Sequence, residues 1–329
     1  MPTIRAIAEA AGVSIAAVSA VINGSDHTRV SAKTRARIET VITETGYIPN
    51  AAARALRRQE TRRLALVLHK LDNPTLHEAV LGFTVSAASL GKTILINGAE
   101  WSPASTNLLS QLLVDGSVDG VVVHTLRAIT DELREALKQH PRPVIAMEET
   151  GEPGGPWVSI DNYGAAAMAT RHLIELGHRH IAWAGRTDTV ALQRRYNGYA
   201  DTIAAANLRA ISIECPFGYE SGGPVIAQLT RLDPRPTAVV VCTGTTAIGV
   251  VAAAADAAIS IPRELSVVSI NDFEFAAYIR PALTSVRTPL YELGARAARV
   301  AITGDESNYG VITDVPNELV RRGSTAEPL

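Results

Sequence analysis

Apolar residues follow two different periods along the chain, and the change comes close to residue 63. Before that point they recur at the three- and four-residue spacing of amphipathic helices, as Ile4, Ile7 and Ala11 do. After it, short apolar runs such as residues 64–68 alternate with helical stretches, which is typical of buried parallel strands. The pattern therefore predicts a small all-α head followed by an α/β body.

The head is predicted to hold three helices. Gly12 ends the first helix, Ser14 caps a second over residues 15–22, and Ser31 or Thr34 begins the third. These caps and breaks fall between runs of helical spacing, so they divide the head into short packed helices.

The turn between the first two helices has the spacing of a helix-turn-helix. Ala8, Gly12 and Val18 supply a small contact residue, a glycine in the turn and an apolar anchor for the second helix. An ordinary helical hairpin is the alternative that this spacing leaves open. A helix-turn-helix would place its second helix in the major groove of double-stranded DNA.

The body alternates apolar runs with helical stretches such as residues 165–176 and 247–258. This βα repeat is too long for one comfortable sheet, so it predicts two doubly wound parallel sheets in tandem. The segment 151–156, rich in Gly and Pro, is a candidate crossover between them.

Charge divides the chain at the same place. Residues 1–63 hold ten Lys and Arg against five acids, a balance of +5, although the whole chain has a net charge of −2. The remainder therefore holds 21 basic and 28 acidic residues, a balance of −7. A basic head on an acidic body indicates a polyanionic partner for the head alone.

Several other classes of protein lack support in the sequence. No apolar run reaches the ~18 residues of a membrane helix, and the N-terminus lacks the pattern of a signal peptide. Two cysteines, Cys215 and Cys242, cannot build a disulfide framework, which favours a cytoplasmic protein. His178 and His180 fit a turn that enters the next strand, with no third metal ligand near them in the sequence, and no catalytic set is visible. We expect no enzyme, no cofactor and no metal site.

Nine segments stand in an order that closely resembles the lac repressor (LacI) family of bacterial regulators. They are TIRAIAEAAGVS (3–14), VSAVING (18–24), GYIPN (46–50), DNP (72–74), SIDN (159–162), LGHRHI (176–181), RYNGY (195–199), RPALT (280–284) and ELVRRGS (318–324). The resemblance implies a helix-turn-helix DNA-binding domain (1–49), a hinge helix and linker (50–62), and a two-lobed periplasmic-binding-protein-like body (63–329). Its N-lobe would be about 63–157 and 288–313, and its C-lobe about 158–287 and 314–329.

The resemblance also assigns contacts with operator DNA. Base choice should come from Ile15, Ala16 and Ala20 on the second helix. Phosphates would be held by Thr3, Ser14, Ser19, Asn23, Ser31 and Thr34. Packing of Ile15 and the two alanines in a three-helix core is the alternative. The family usually has arginine at the position of Ala20, so no operator sequence transfers to this chain.

The segment 51–58 follows Asn50 and is too short for a stable helix, because isolated helices below ~12–15 residues are marginal in water. By resemblance it is a hinge helix that pairs with its twin across a homodimer. Leu56 would then enter the minor groove while Arg54, Arg57 and Arg58 lie near phosphates. A solvated basic linker is the alternative.

An effector is expected in the cleft between the lobes, at the carboxyl ends of the strands. Arg195 corresponds to the family's effector-binding arginine, and Phe217 to an aromatic residue that stacks on the ligand. The full predicted set is His69, Lys70, Asp72, Thr75, Glu148, Asp161, Arg195, Phe217, Thr243, Asn271 and Asp272. Thr243 and Gly244 stand where many family members have an Asn-Asp pair, and Lys70 stands where an acid is frequent. The loss of a carboxylate and the gain of an ammonium group favour an acidic or phosphorylated effector over a neutral sugar.

The sequence thus predicts a sequence-specific DNA-binding transcriptional regulator of the repressor type. It is expected to act as a homodimer whose affinity for operator DNA is set by a small molecule, such as a sugar or a sugar derivative. A solute-binding protein of the periplasmic type, with the same two lobes, is the alternative. That alternative gives no reason for a basic helical head.

Overall fold

The structure is a computed structural model, and it describes residues 2–23, 30–48, 60–68, 71, 73–98, 111, 116–124, 144–149 and 156–329. The chain divides into two compact units, Met1–Thr61 and Arg62–Leu329. They are called here the head unit and the body unit.

The head unit contains three helices in its described residues: α1 (Ile4–Ala10), α2 (Ile15–Asn23) and α3 (Ala32–Thr45). Their apolar faces meet in a small core in which Ile7, Val18 and Ile38 are fully buried. Gly12, with φ +60°, makes the turn between α1 and α2, a backbone conformation that suits glycine. The predicted all-α head is confirmed.

No single helix within the described ranges is long and apolar enough to cross a membrane. Helices α1 and α2 pass that test only as a pair, taken across a bend of 107°.

The first sheet of the body unit has six parallel strands in the order β11-β5-β4-β3-β1-β2. Its members are β1 (Arg63–Leu68), β2 (Thr93–Gly98), β3 (Gly120–His124), β4 (Val144–Met147), β5 (Trp157–Ser159) and β11 (Gly310–Val311). Every residue of β1 after Arg63 is buried, as expected for a strand covered on both faces.

The second sheet has the order β12-β10-β9-β8-β6-β7, and only β12 runs antiparallel to its neighbour. Its members are β6 (Ile181–Ala184), β7 (Ile211–Ile213), β8 (Ala238–Val241), β9 (Ser266–Ile270), β10 (Thr284–Arg287) and β12 (Glu318–Val320). The predicted pair of parallel-dominated sheets is confirmed.

Six helices cover these sheets in the described residues: α4 (His77–Ser89), α5 (Asn162–Glu175), α6 (Val190–Ala205), α7 (Gly222–Leu229), α8 (Gly244–Asp256) and α9 (Leu290–Thr303). Helices α4 and α9 approach closely because each has a glycine at the contact. A Cβ on Gly82 or Gly294 would lie within 2 Å of a backbone oxygen of the other helix. After β10 of the second sheet, the chain continues through α9 to β11, which belongs to the first sheet.

Candidate functional site

A cavity of about 290 Å³ lies between the two sheets of the body unit. Its walls come from loops that leave the carboxyl ends of strands in both sheets, which is where ligands bind in open α/β folds. The lining residues are Asn73, Thr75, Leu76, His124, Glu148, Arg186, Thr189, Ala191, Leu192, Arg195, Pro216, Phe217, Gly218, Tyr219, Glu220, Thr243, Thr245 and Asn271. The volume is at the small end of the roughly 300–1,000 Å³ range of small-molecule pockets.

Arg195 on α6 is buried, with only 4% of its surface exposed. Its Nε donates to Asn162 Oδ1 at 2.7 Å and its Nη1 donates to the carbonyl oxygen of Cys242 at 2.6 Å. Its Nη2 lies 3.5 Å from Asn271 Oδ1. Burial lowers the pKa of the guanidinium, and nearby Glu148 opposes that effect. The fork is therefore fixed on both sides before any ligand enters.

Asn271 is held in turn by a neighbour. The hydroxyl of Thr288 donates to Asn271 Oδ1 at 2.9 Å. Asn271 also has φ +68°, a left-handed conformation that asparagine adopts more readily than most residues. The amide is thus locked beside Arg195 by its own backbone and by Thr288.

Glu148 follows β4 and lies on the opposite wall from the second sheet's loops. Burial raises the pKa of this carboxyl to about 7, and the charge of Arg195 lowers it in part. Its Oε1 lies 3.8 Å from Nε2 of His124, a contact too long for a hydrogen bond. Glu148 is therefore a carboxyl whose charge changes near neutral pH.

Helix α8 begins at the cavity wall. Thr243 precedes it but makes no capping hydrogen bond to the first turn, because its hydroxyl donates instead to Thr246 Oγ1 at 3.0 Å. Gly244 packs against Phe273, and a Cβ there would lie 2.4 Å from the ring. Glycine at this position therefore lets the first turn of α8 pack closely against the Phe273 ring.

The structure brings six of the predicted effector residues together at the cavity: Thr75, Glu148, Arg195, Phe217, Thr243 and Asn271. Asp161 does not line it, since its carboxylate caps α5 by accepting from the Gly164 backbone N–H at 2.7 Å. The predicted residues His69, Lys70 and Asp72 lie outside the described residues.

Asp272 does not line the cavity either, because its carboxylate binds other side chains. Arg322 donates to both of its oxygens, at 2.7 and 3.0 Å, and Ser285 donates to Oδ1 at 2.5 Å. Burial alone would raise the pKa of Asp272, but these hydrogen bonds hold it below its ordinary value. Asp272 thus links the segment that follows β12 to strand β10.

Sequence reasoning missed several lining residues, among them His124, Arg186, Thr189 and Glu220. His124 is the last residue of β3, and Arg186 follows β6 by two positions. A search for polar residues directly after every apolar run would have found both, since parallel strands end at one edge.

The residues predicted to contact DNA differ in how far their side chains are exposed. Ile15 is 42% exposed at the first turn of α2, and Ala16 beside it is exposed as well. Ala20, in contrast, is buried with 5% of its surface exposed, so its methyl group is not presented on that face. Ser19 is partly buried. The exposure of Ile15 disfavours the alternative in which it packs in the core.

Hydroxyl residues stand at the helix N-termini of the head unit. Thr3 Oγ1 accepts from the Ala6 N–H at 3.3 Å, and Ser14 Oγ accepts from the Ala17 N–H at 3.2 Å. Ser31 caps α3 and exchanges a 2.8 Å hydrogen bond with Thr34. The side chain of Asn23 and residues Asn50, Arg54, Leu56 and Arg57 lie outside the described residues.

A helix-turn-helix head and a two-sheet body with a charged cavity define a ligand-binding transcriptional regulator. The chain matches the family "Bacterial regulatory proteins, lacI family" over residues 3–50 and "Periplasmic binding protein-like domain" over residues 170–325. It belongs to the lacI family of bacterial regulatory proteins, as the sequence motifs predict.

Relatives cover the whole chain. The HTH-type transcriptional regulator GalR of Escherichia coli K12 is 30% identical over 100% of this chain and 97% of its own length. The structure of the transcriptional regulator CelR–cellobiose complex is 29% identical, with a TM-score of 0.72 over 98% of this chain and 100% of that one. The lac repressor dimer bound to operator and the anti-inducer ONPF shares the fold, with a TM-score of 0.83, 23% identity and 99% of both chains covered.

Proposed function

We propose that this protein is a homodimeric transcriptional repressor that binds operator DNA through its head unit and a sugar-type effector in the cavity of its body unit. The single observation that carries the proposal is the cavity, which lies between two sheets and is lined by Arg195 and Glu148. The name of the CelR–cellobiose complex supports a sugar-type ligand for this fold. A solute-binding protein is disfavoured because GalR, a transcriptional regulator, matches the entire chain.

The head unit is proposed to contact DNA with the N-terminal turn of α2. Ile15 and Ala16 would meet base edges in the major groove, since both are exposed at that turn. Thr3, Ser14 and Ser31 would hold phosphates at helix N-termini. The roles of Ser19, Asn23, Thr34, Asn50, Arg54, Leu56 and Arg57 are proposed on the resemblance alone.

The body unit is proposed to couple ligand and DNA by differential binding. Arg195 and Thr243 come from the second sheet's side of the cavity and Glu148 from the first, so one ligand would contact both. A ligand changes affinity for DNA only by its preference for one arrangement of the two sheets. The protein would therefore act by binding, and no catalytic step is assigned to the cavity.

The test is a binding assay of the intact protein on DNA from its own upstream region. Specific DNA should bind more tightly than a scrambled duplex of the same composition. Ile15→Ala should weaken specific binding by about tenfold, the loss of one base contact, and leave binding to the scrambled duplex unchanged. Leu232→Ala, a similar truncation at a residue 38% exposed in the body unit, is the matched control. Equal affinity for both duplexes would contradict the proposal.

A further inference from the structure

Within the described part of the chain, the buried guanidinium of Arg195 has no acidic hydrogen-bond partner. Its three hydrogen-bond acceptors are the amide oxygens of Asn162 and Asn271 and the carbonyl oxygen of Cys242, all of them neutral. Among the described residues, no carboxylate lies within ion-pair distance of it. A buried charge is normally paired, because an uncompensated one carries a desolvation penalty. The arrangement therefore leaves a fixed positive charge at the cavity wall.

The terminus of α8 adds to this positive potential. The first-turn backbone N–H groups of a helix have no partner within the helix, and the hydroxyl of Thr243 does not cap them here. Thr243 and Thr245 both line the cavity, so these donors lie at the same wall as Arg195. Such donors favour an anion, and the buried arginine beside them is a second, independent reason to expect one.

Other charged groups also line the cavity. Arg186 is also a cation, and its Nη2 lies 2.5 Å from the carboxylate of Asp188. Glu148 is near enough for its charge to act on Arg195, but burial raises the pKa of its carboxyl to about 7, so near neutral pH it offsets the cation only in part. Glu220 lines the cavity next to Gly218. Glu148 has no hydrogen-bond partner at normal distance in the described residues, so it is placed to accept from ligand hydroxyl groups.

We propose that the effector is a monosaccharide-sized polyhydroxy compound with an anionic group, a carboxylate or a phosphate. Its anionic group binds Arg195 and the first turn of α8, and its hydroxyl groups donate to Glu148. This inference rests on the proposed function and specifies the chemical class of its ligand. The planar fork of arginine can bind a carboxylate or a phosphate with two parallel hydrogen bonds.

The test is calorimetric titration of the intact protein with matched pairs of sugars. D-Glucuronate and D-galacturonate are compared with D-glucose and D-galactose, and D-glucose 6-phosphate serves as the phosphate arm. We expect at least one anionic compound to bind about tenfold or more tightly than its neutral counterpart, a charge-assisted gain. If the uronates have the lower dissociation constant, the anionic group of the effector is a carboxylate; if D-glucose 6-phosphate does, it is a phosphate.

A single substitution tests the cause of that preference. Asn271→Asp places a carboxylate beside Arg195 and keeps the left-handed backbone, which aspartate also tolerates. The anionic advantage should fall at least tenfold in this variant. Asn207→Asp is the matched control, because Asn207 has the same left-handed backbone at φ +56° on an exposed turn away from the cavity.

Two results would overturn the inference. One is that a neutral hexose binds as tightly as its uronate and its phosphate. The other is that no anionic compound of the set binds at all. Either result can coexist with specific DNA binding, so a failure here is distinguishable from a failure of the proposed regulator function.

Discussion

Arg195 shows how a single side chain sets the chemistry of the cavity. It is fixed by Asn162 and by the Cys242 carbonyl, so its orientation does not depend on a ligand. Pre-organisation of this kind reduces the entropy that binding must overcome. The hydrogen-bond acceptors of the same residue are all neutral, and on the proposal above its charge selects an anionic ligand.

The ionisation of Glu148 should make stability depend on pH. Burial raises its pKa from 4.5 to about 7, so the folded protein holds this proton more tightly than the unfolded chain. The free energy of unfolding should therefore fall as pH rises from about 4.5 to about 7, and this contribution is greatest below that window. Glu148→Gln should lose this dependence because its side chain stays neutral.

Urea unfolding of both proteins at pH ~5 and pH ~8 measures the effect, because these two values span most of the pH range over which Glu148 ionises. The variant should gain stability relative to the wild type at the higher pH. Glu149→Gln, at the neighbouring residue that pairs with exposed Arg194, is the control for the substitution itself. Parallel pH profiles for wild type and Glu148→Gln would contradict the prediction.

Some of the residues that line the cavity could be predicted individually from the sequence. Thr75, Glu148, Arg195, Phe217, Thr243 and Asn271 were named from position after strands and from the family resemblance, and the structure brings them together. Asp272 was named on the same grounds, but Arg322 binds it from 50 positions along the chain. Pairing over that distance depends on tertiary structure and leaves no local signal.

At the scale of helices, close crossings depend on glycine. Helices α5 and α6 pack together, and a Cβ on Gly198 would lie 2.2 Å from the carbonyl oxygen of Tyr163. Backbone cannot move away as a flexible side chain can, so the helices must separate. The same helix α6 carries Arg195, so this crossing also positions the cavity.

Gly198→Ala should destabilise the protein by about 1–3 kcal/mol, the usual cost of overpacking, despite the better helix propensity of alanine. Gly223→Ala in α7 is the matched control, because nothing lies within 4 Å of the Cβ position there. The control should be neutral or slightly stabilising. Denaturant midpoints measure both, and equal stability of the two variants would show that the crossing tolerates a methyl group.

Strands differ in how well sequence predicts them. Apolar runs coincide with β1, β2, β3, β4, β6, β8 and β9, of which all but the edge strand β2 are mostly buried. The short strands β5, β7, β11 and β12 have two or three residues each, too few for a period to emerge. Strand β10 has the largely polar sequence TSVR, so no apolar run marks it, and its Ser285 donates a hydrogen bond to Asp272.

At the scale of the whole molecule, charge separates the two units. Residues 1–63 have a net positive charge, whereas the rest of the chain has a net negative charge. Non-specific attraction to DNA is therefore confined to the head, while the body repels the phosphate backbone. Two heads in a homodimer would double the number of phosphates contacted.

Affinity for DNA should consequently fall steeply with salt. Each phosphate neutralised contributes about −0.9 to the slope of log affinity against log salt concentration. Fluorescence anisotropy at several NaCl concentrations measures this slope. A slope close to zero would mean that the head makes no substantial phosphate contact, whatever its charge.

The most direct measurement is the affinity of the intact protein for labelled upstream DNA, taken with and without each sugar, uronate and sugar phosphate named above. A scrambled duplex serves as the reference. Specific DNA should bind at least about 10³-fold more tightly than scrambled DNA. At least one compound should change only the specific affinity. Equal affinity for both duplexes, unchanged by every compound, would contradict the conclusion that a ligand in the cavity controls binding to an operator.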